Sequence, residues 1–357
     1  MRVRRSPLPE RPEIHQLSLP LPKNWGGPDR VQAYLIEGDP LTLIDTGGRN
    51  AESRAVLEAI LEEFGYGFAD IERVIVTHAH RDHMGLVQSL RDAGAQLECL
   101  VHEADAETAE RYTEVKRERL EEMIALFREN GVPEKKLDEL QRDPLARRFV
   151  AEEESPATSV ERRLRDGDRV AFKNYALRVH HSPGHTPGHI LLEDEEHGLL
   201  WTGDQVMAQA IPNTENFYTQ ALPEPGDRLN RRPRFKGLVE MRRSLKRLRG
   251  QRFRRLLPGC GGIIDRPERA IRDILLFYDV RIQRIDRGLR HLAAMGQEVT
   301  AFELWQALFP QDESNDEMRT HLLTLIGALD CLEADGRVRV ERRNSILTHS
   351  SSSRGRR

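Results

Sequence analysis

Two periods of apolar residues organise the chain. Short β-branched or leucine-rich runs at 31–36, 41–44, 73–76, 97–101, 170–172, 177–180, 190–192, 198–203 and 254–257 read as strands, most of them closed by Gly, Pro or Asp. Between the second and third lies a helical pattern. Val56, Leu57, Ile60, Leu61 and Phe64 share one face, Asn50 is a suitable N-cap and Gly65 a suitable stop. Residues 86–93 read as a further helix. The segment up to Asp29 is rich in proline and is expected to be irregular or edge-like.

From Glu103 to Glu154 the strand signal disappears, and sixteen acidic and ten basic residues dominate. Leu120, Met123, Ile124 and Phe127 form a helical stripe broken at Gly131-Val132-Pro133, so two or three helices are expected as an insertion at about 103–154. Such an insertion either caps a substrate cleft or decorates the surface. After residue 278 the pattern is helical again. A helix over 279–294 carries Ile282, Ile285, Leu289 and Leu292, and Thr300 with Glu303 forms a capping box before Trp305, Leu308 and Phe309. A third helix holds Leu322, Leu325, Ile326, Leu329 and Leu332, and a strand follows at 338–340. This order resembles a winged helix. The expected layout is a main domain over 1–278, a small domain over 279–343 and a disordered Ser- and Arg-rich tail over 344–357.

Charge and composition narrow the function only in part. The chain is 38% hydrophobic and 32% charged with a net charge of −3, which suits a soluble globular protein with no global preference for nucleic acid. Locally, Arg228 to Arg255 holds thirteen Lys or Arg residues against Glu240 alone, a charge of about +12. That stretch either attracts an anion such as RNA or a coenzyme A-type molecule, or balances the acidic insertion. The third C-terminal helix offers Arg319 beside Asp316, Glu317, Asp330 and Glu333, so packing, a homodimer contact or substrate shaping is favoured there over DNA reading. Cys99, Cys260 and Cys331 are odd in number and widely spaced, which argues for a reducing compartment. With no apolar run long enough to cross a membrane, the expected location is the cytoplasm and no membrane partner is expected.

The chemistry lies at the strand ends. Thr77-His78-Ala79-His80-Arg81-Asp82-His83-Met84-Gly85 brings three imidazoles and a carboxylate together immediately after the strand at 73–76. Imidazole and carboxylate suit zinc, iron or manganese. Further donors follow later strands: His185 among the Pro-Gly turns of 181–189, Asp204 after Trp201-Thr202-Gly203, and Cys260 after Leu257-Pro258-Gly259. Donors presented by several strand-end turns describe a site along one edge of a sheet.

These motifs, with Asp45-Thr46-Gly47, resemble the metallo-β-lactamase superfamily over about residues 30–265. The helical insertion and C-terminal extension are similar to the glyoxalase-II-like branch and its β-lactamase-like protein 2 group, whose members are hydrolases, some of them endoribonucleases, with a winged-helix-like C-terminal domain. The resemblance implies an α/β fold, an αββα sandwich with the metal site at one edge. It implies that His78, His80 and His185 hold a first metal, that Asp82 and His83 hold a second, and that Asp204 bridges both. The family's last ligand is a histidine where this chain has Cys260. Either Cys260 binds as thiolate, favouring zinc, or the second metal is weak or absent, or the usual chemistry is altered.

With one or two ions, zinc before iron or manganese, the expected activity is metal-dependent hydrolysis. A metal-bound hydroxide would attack an ester, thioester, lactone, amide or phosphodiester, with Asp82 orienting it and taking its proton. Endoribonuclease action on single-stranded RNA is one alternative; a nucleic-acid-binding regulator with a vestigial site is the other. Asp45 is expected either to support the ligand loop or to cap a turn. His180, His181 and His189 are expected as supporting residues, and His102 and His197 as surface residues.

Overall fold

Alternation along β3 (Arg30–Ile36) separates the two layers of core. Ala33 and Leu35 join Leu43 of β4 (Thr42–Ile44), Val74 of β5 (Arg73–Ile75) and Cys99 and Val101 of β6 (Glu98–His102). This face is covered by Leu57, Ile60 and Leu61 of α1 (Ala51–Glu63), whose N-cap Asn50 accepts from Ser53 N. Tyr34, Ile36, Ile44, Ile75 and Leu100 point the other way. They meet Val170, Leu177, Val179, Leu192, Leu199, Trp201 and Leu257 of a second sheet. A period of two thus sends one strand's residues alternately to a helix layer and to a sheet-to-sheet interior.

The computed structural model describes residues 5–25, 27–143, 157–208, 210–295, 298–311 and 314–352; the expected insertion residues 144–154 and the tail's end at 353–357 lie outside them. The first sheet runs β1 (Arg5–Leu8), β2 (Arg11–Pro20), β3, β4, β5, β6, β7 (Arg162–Leu164) and is antiparallel up to β4 and parallel from there on. The second is the antiparallel series β8 (Arg169–Ala171), β9 (Ala176–His181), β10 (Ile190–Asp194) and β11 (Leu199–Gly203), with β14 (Arg255–Pro258) parallel beside β11. The proline-rich start is therefore not irregular. β2 pairs on both sides, because its prolines fall towards its ends and at a register shift while Ile14, Leu17 and Leu19 keep the buried alternation.

Both sheets lie in a compact unit formed by Met1–Val115, Ala151–Asn213 and Ser244–Arg272. A second unit comprises Lys116–Val150, Thr214–Arg243 and Asp273–Arg357. In the second unit the hairpin of β12 (Asn216–Tyr218) and β13 (Arg234–Lys236) meets α10 (Asn315–Ala334) through buried Asp330, which accepts from Arg234 and Asn216. Much of the basic stretch is occupied in this way. Arg231 pairs with Glu333, Arg232 with Glu122, Arg242 with Asp279, and Lys236 with both Asp330 and Glu333. α10 is buried from Leu325 to Leu332, so that half is a core element and offers no face to a DNA groove.

Three expectations for the C-terminal part change. The helix expected from Asp279 starts at Pro267 and runs to Ala294, so the boundary expected at 278/279 falls in mid-helix; Ile271, Ile274 and Leu275 extend its buried face. The capping box at Thr300 opens α9 (Ala301–Leu308) as patterned, and a second, formed by Ser314 and Glu317, opens α10. The tail is not disordered throughout. β16 (Ile346–Ser351) pairs with β15 (Val338–Arg343), and Leu347 and His349 are buried on one side of it.

Candidate metal centre

Each donor is placed where a strand ends. β4 gives way to Asp45, held in the left-handed region at φ 56°, so its carboxylate turns back towards the next strand. There it accepts from Thr77 N and Thr77 Oγ1, both at 2.8 Å, and from His83 Nδ1 at 2.8 Å. Asp45 thus supports the ligand loop and fixes His83 with Nε2 facing inward. The loop runs His78, Ala79, His80 into the short helix α2 (Arg81–Met84). His185 follows β9, and its Nδ1 donates to the Asn213 carbonyl at 2.8 Å, which again leaves Nε2 towards the site. Asp204 follows β11, and its backbone N–H donates to His189 Nε2 at 3.1 Å. The β14 end is drawn close: a Cβ on Gly259 would lie 2.6 Å from His83 Cε1 and 2.8 Å from Asp204 Oδ1, so only glycine passes here.

The folded chain gathers His78, His80, His83, His185 and Asp204. Two sets of donor atoms each lie within 4.8 Å: His78, His80 and His185, and His78, His83 and Asp204. His78 Nε2 and His80 Nδ1 are 3.1 Å apart, close to the ~3.3 Å between two nitrogens on one tetrahedral zinc. His83 Nε2 is 3.5 Å and His185 Nε2 is 3.8 Å from Asp204 Oδ2. His83 Nε2, His185 Nε2 and Asp204 Oδ1 are buried with no hydrogen-bond partner. Buried polar atoms of this kind are unfavourable unless something satisfies them, and a cation among them does so. The donor set fits a divalent metal.

Two predicted residues stand outside both sets. Asp82 is half-buried, with Oδ2 3.8 Å from His83 Nε2, and Cys260 Sγ donates towards Asp204 Oδ2 at 3.7 Å. Burial, reinforced by the charge of Asp204, pushes the Cys260 thiol up to about 12 against the opposing pull of His83. Burial, then the neighbouring imidazoles, hold His78 well below its usual range, which keeps it neutral with a lone pair to give. For His83 burial acts downward too, but the carboxylates of Asp204, Asp45 and Asp82 overcome it and hold it well above. Burial acts upward on Asp204, but His83 and His185 outweigh it and hold that carboxyl below the usual carboxylate range.

Cys260→Ser is expected to retain the metal bound by His78, His80 and His185. Metal analysis of both forms checks this; loss of one equivalent in the variant alone would assign a thiolate ligand.

Some side chains differ from their expected roles. His102 is buried, caps α4 (Glu103–Glu110) by accepting from Ala104 N, and stacks on His181 at 4.0 Å, so it is not a surface histidine. His189 is fully buried and stacks on His78 at 5.0 Å as a support. Asp105 was not legible at all. It is one carboxylate in an acidic stretch, and its contacts are made only by the fold.

An αββα sandwich with convergent histidines and carboxylates at its strand ends defines a metallo-hydrolase. The chain belongs to the metallo-beta-lactamase superfamily, whose family model matches residues 26–259. It is 29% identical over 306 residues to the probable metallo-hydrolase YqjP of Bacillus subtilis (strain 168), covering 85% of this chain and 88% of that one. A segment of 136 residues is 30% identical to acyl-coenzyme A thioesterase MBLAC2 of Gallus gallus, covering 37% of this chain and 40% of that one. Among solved structures, a metallo-beta-lactamase family protein from Thermus thermophilus, TTHA1429, matches with a TM-score of 0.71 and 25% identity over 96% of this chain and 99% of that one. Among the described residues no helix is long and apolar enough to cross a membrane.

Proposed function

We propose that the chain hydrolyses an anionic acyl thioester of the coenzyme A type, using a metal held by His78, His80 and His185, with His83 and Asp204 beside it. The observation that carries the hydrolase reading is the pair of donor sets sharing His78, with three buried donor atoms left unsatisfied by the protein. A divalent cation bound there supplies water activation at neutral pH and polarises the acyl carbonyl. The chain's own residues do the rest. Asp45 and the Asn213 carbonyl fix the ring orientations of His83 and His185 through Nδ1, so both turn Nε2 towards the site. Asp82, outside the donor sets and half-exposed, is the general base that takes the water's proton.

Two facts favour the thioester over RNA. The avian relative is named an acyl-coenzyme A thioesterase, and most of the basic residues from Arg231 to Arg242 are already paired with carboxylates. A backbone-tracking RNA surface needs unpaired cations. Lys246, Arg249 and Arg252 are exposed.

A panel of an acyl-coenzyme A, a glutathione thioester, a lactone and single-stranded RNA, each with and without chelator, tests this. Chelator-sensitive thioester cleavage is expected, with little salt dependence beyond that of a few charge contacts. Cleavage of RNA alone, falling steeply between low and moderate salt, would establish the endoribonuclease instead.

A further inference from the structure

We infer that Asp105 is a positioning residue that locks the two ligand loops of the three-histidine set into one geometry; this rests on the metal-centre reading above. Asp105 lies in the first turn of α4 and is 1% exposed. Its Oδ2 accepts from Ala79 N at 3.0 Å and from Thr186 Oγ1 at 2.6 Å, and its Oδ1 accepts from Gly188 N at 2.7 Å. Ala79 is the residue between His78 and His80. Thr186 directly follows His185, and Gly188 lies two residues further on. One carboxylate therefore ties the middle of the first ligand pair to the turn that carries the third ligand, from a helix that supplies no ligand itself.

Three donors converge on two oxygens, so the arrangement requires the ionised carboxylate. An asparagine of the same shape keeps one acceptor and turns an NH2 towards an N–H or O–H donor. The approach is also close. A Cβ on Gly188 would lie 2.6 Å from both Asp105 Cβ and Asp105 Cγ, so neither a larger residue at 188 nor a longer acid at 105 fits. Misplacement of either loop separates His185 from His78 and His80, whose rings now stand 4.7 and 4.6 Å from it. The second donor set shares His78 with the first, while its other members lie outside this lock: His83 is held by Asp45, and the Asp204 backbone by His189.

Cobalt(II) titration of the purified full chain tests the inference, read by the visible d–d absorption as well as by affinity. Asp105→Asn is expected to weaken cobalt binding by about 10–100-fold, the usual cost of losing a residue that orients ligands, and to alter the band shape. Thr186→Val removes a single bond of the three and is expected to shift affinity in the same direction by a smaller factor. Glu161→Gln serves as the control for general destabilisation: it weakens the Arg91 pair of the same unit, outside every group of donors, and leaves cobalt affinity unchanged. A folded Asp105→Asn chain with wild-type affinity and spectrum would overturn the inference. If that variant does not fold, wild-type behaviour of Thr186→Val would overturn it. Wild-type protein that binds no cobalt would instead sink the metal-centre reading, and this inference with it.

Discussion

His80→Ala is expected to remove hydrolysis, a loss on the order of a thousandfold or more, because a ligand costs more than the ~10–100-fold of a residue that only orients one. His80 is the choice among the donors because it is half-exposed, whereas His78 and His83 are fully buried. Truncating His83 would also remove one of the three hydrogen bonds to the buried Asp45 carboxylate and leave a cavity, which risks the fold. His80 packs one edge-on imidazole against His78 and His185 at a half-exposed position, so the melting temperature is expected to change by no more than a few degrees. Three measurements on one preparation decide it: turnover on the chelator-sensitive substrate, metal per chain, and the thermal midpoint. Turnover equal to wild type with the metal retained would remove His80 from the mechanism.

The parts of this molecule that could be read from sequence are those in which a local pattern fixes a local structure. Most of the strands after Asp29 stand in the sequence because a strand buried on both faces must be apolar on both; β7, β12 and β13, each three residues long and carrying Arg, Asn or Lys, give no such signal. β2 was obscured because proline counts against a strand by composition, although Ile14, Leu17 and Leu19 keep their alternation between the prolines. β16 was obscured in the same way by serine and arginine. The donors His78, His80, His83, His185 and Asp204 were legible as motifs, and the fold brings them together. What holds them was legible only in part. Asp45 sits within a motif, but Asp105 and the Asn213 carbonyl acquire their roles from residues 26 or more positions away, as tertiary hydrogen bonds leave no local trace.

The basic stretch leaves two readings open, an anionic partner or a balance for the acidic insertion. A charge of about +12 over Arg228 to Arg255 invites an anionic partner when read along the chain. In the fold, Arg231, Arg232, Arg234, Lys236 and Arg242 meet carboxylates from Glu122, Asp279, Asp330 and Glu333 within the second unit. Sequence distance hid these pairs. Buried or half-buried pairs of this kind specify packing more than they add stability, so their number says little about how firmly that unit is held.

Trp201→Ala is expected to cost about 3–5 kcal/mol, the usual penalty for truncating a large buried aromatic. Trp201 is fully buried between the two sheets and meets Tyr34 edge-on at 6.2 Å. Tyr34 in turn donates its hydroxyl to the Pro258 carbonyl at 2.8 Å, beside the turn that leads to Cys260. The cavity therefore opens at the centre of the sandwich and loosens the brace of one site turn. For a domain of this size the midpoint is expected to fall by roughly 10 °C. Binding of cobalt at low temperature, where the variant is still folded, is expected to stay within about tenfold of wild type, since no donor and no hydrogen bond to a donor is removed. A midpoint shift of under about 2 °C would mean that the sheets are not packed face to face through Trp201, and the layered core would have to be redrawn.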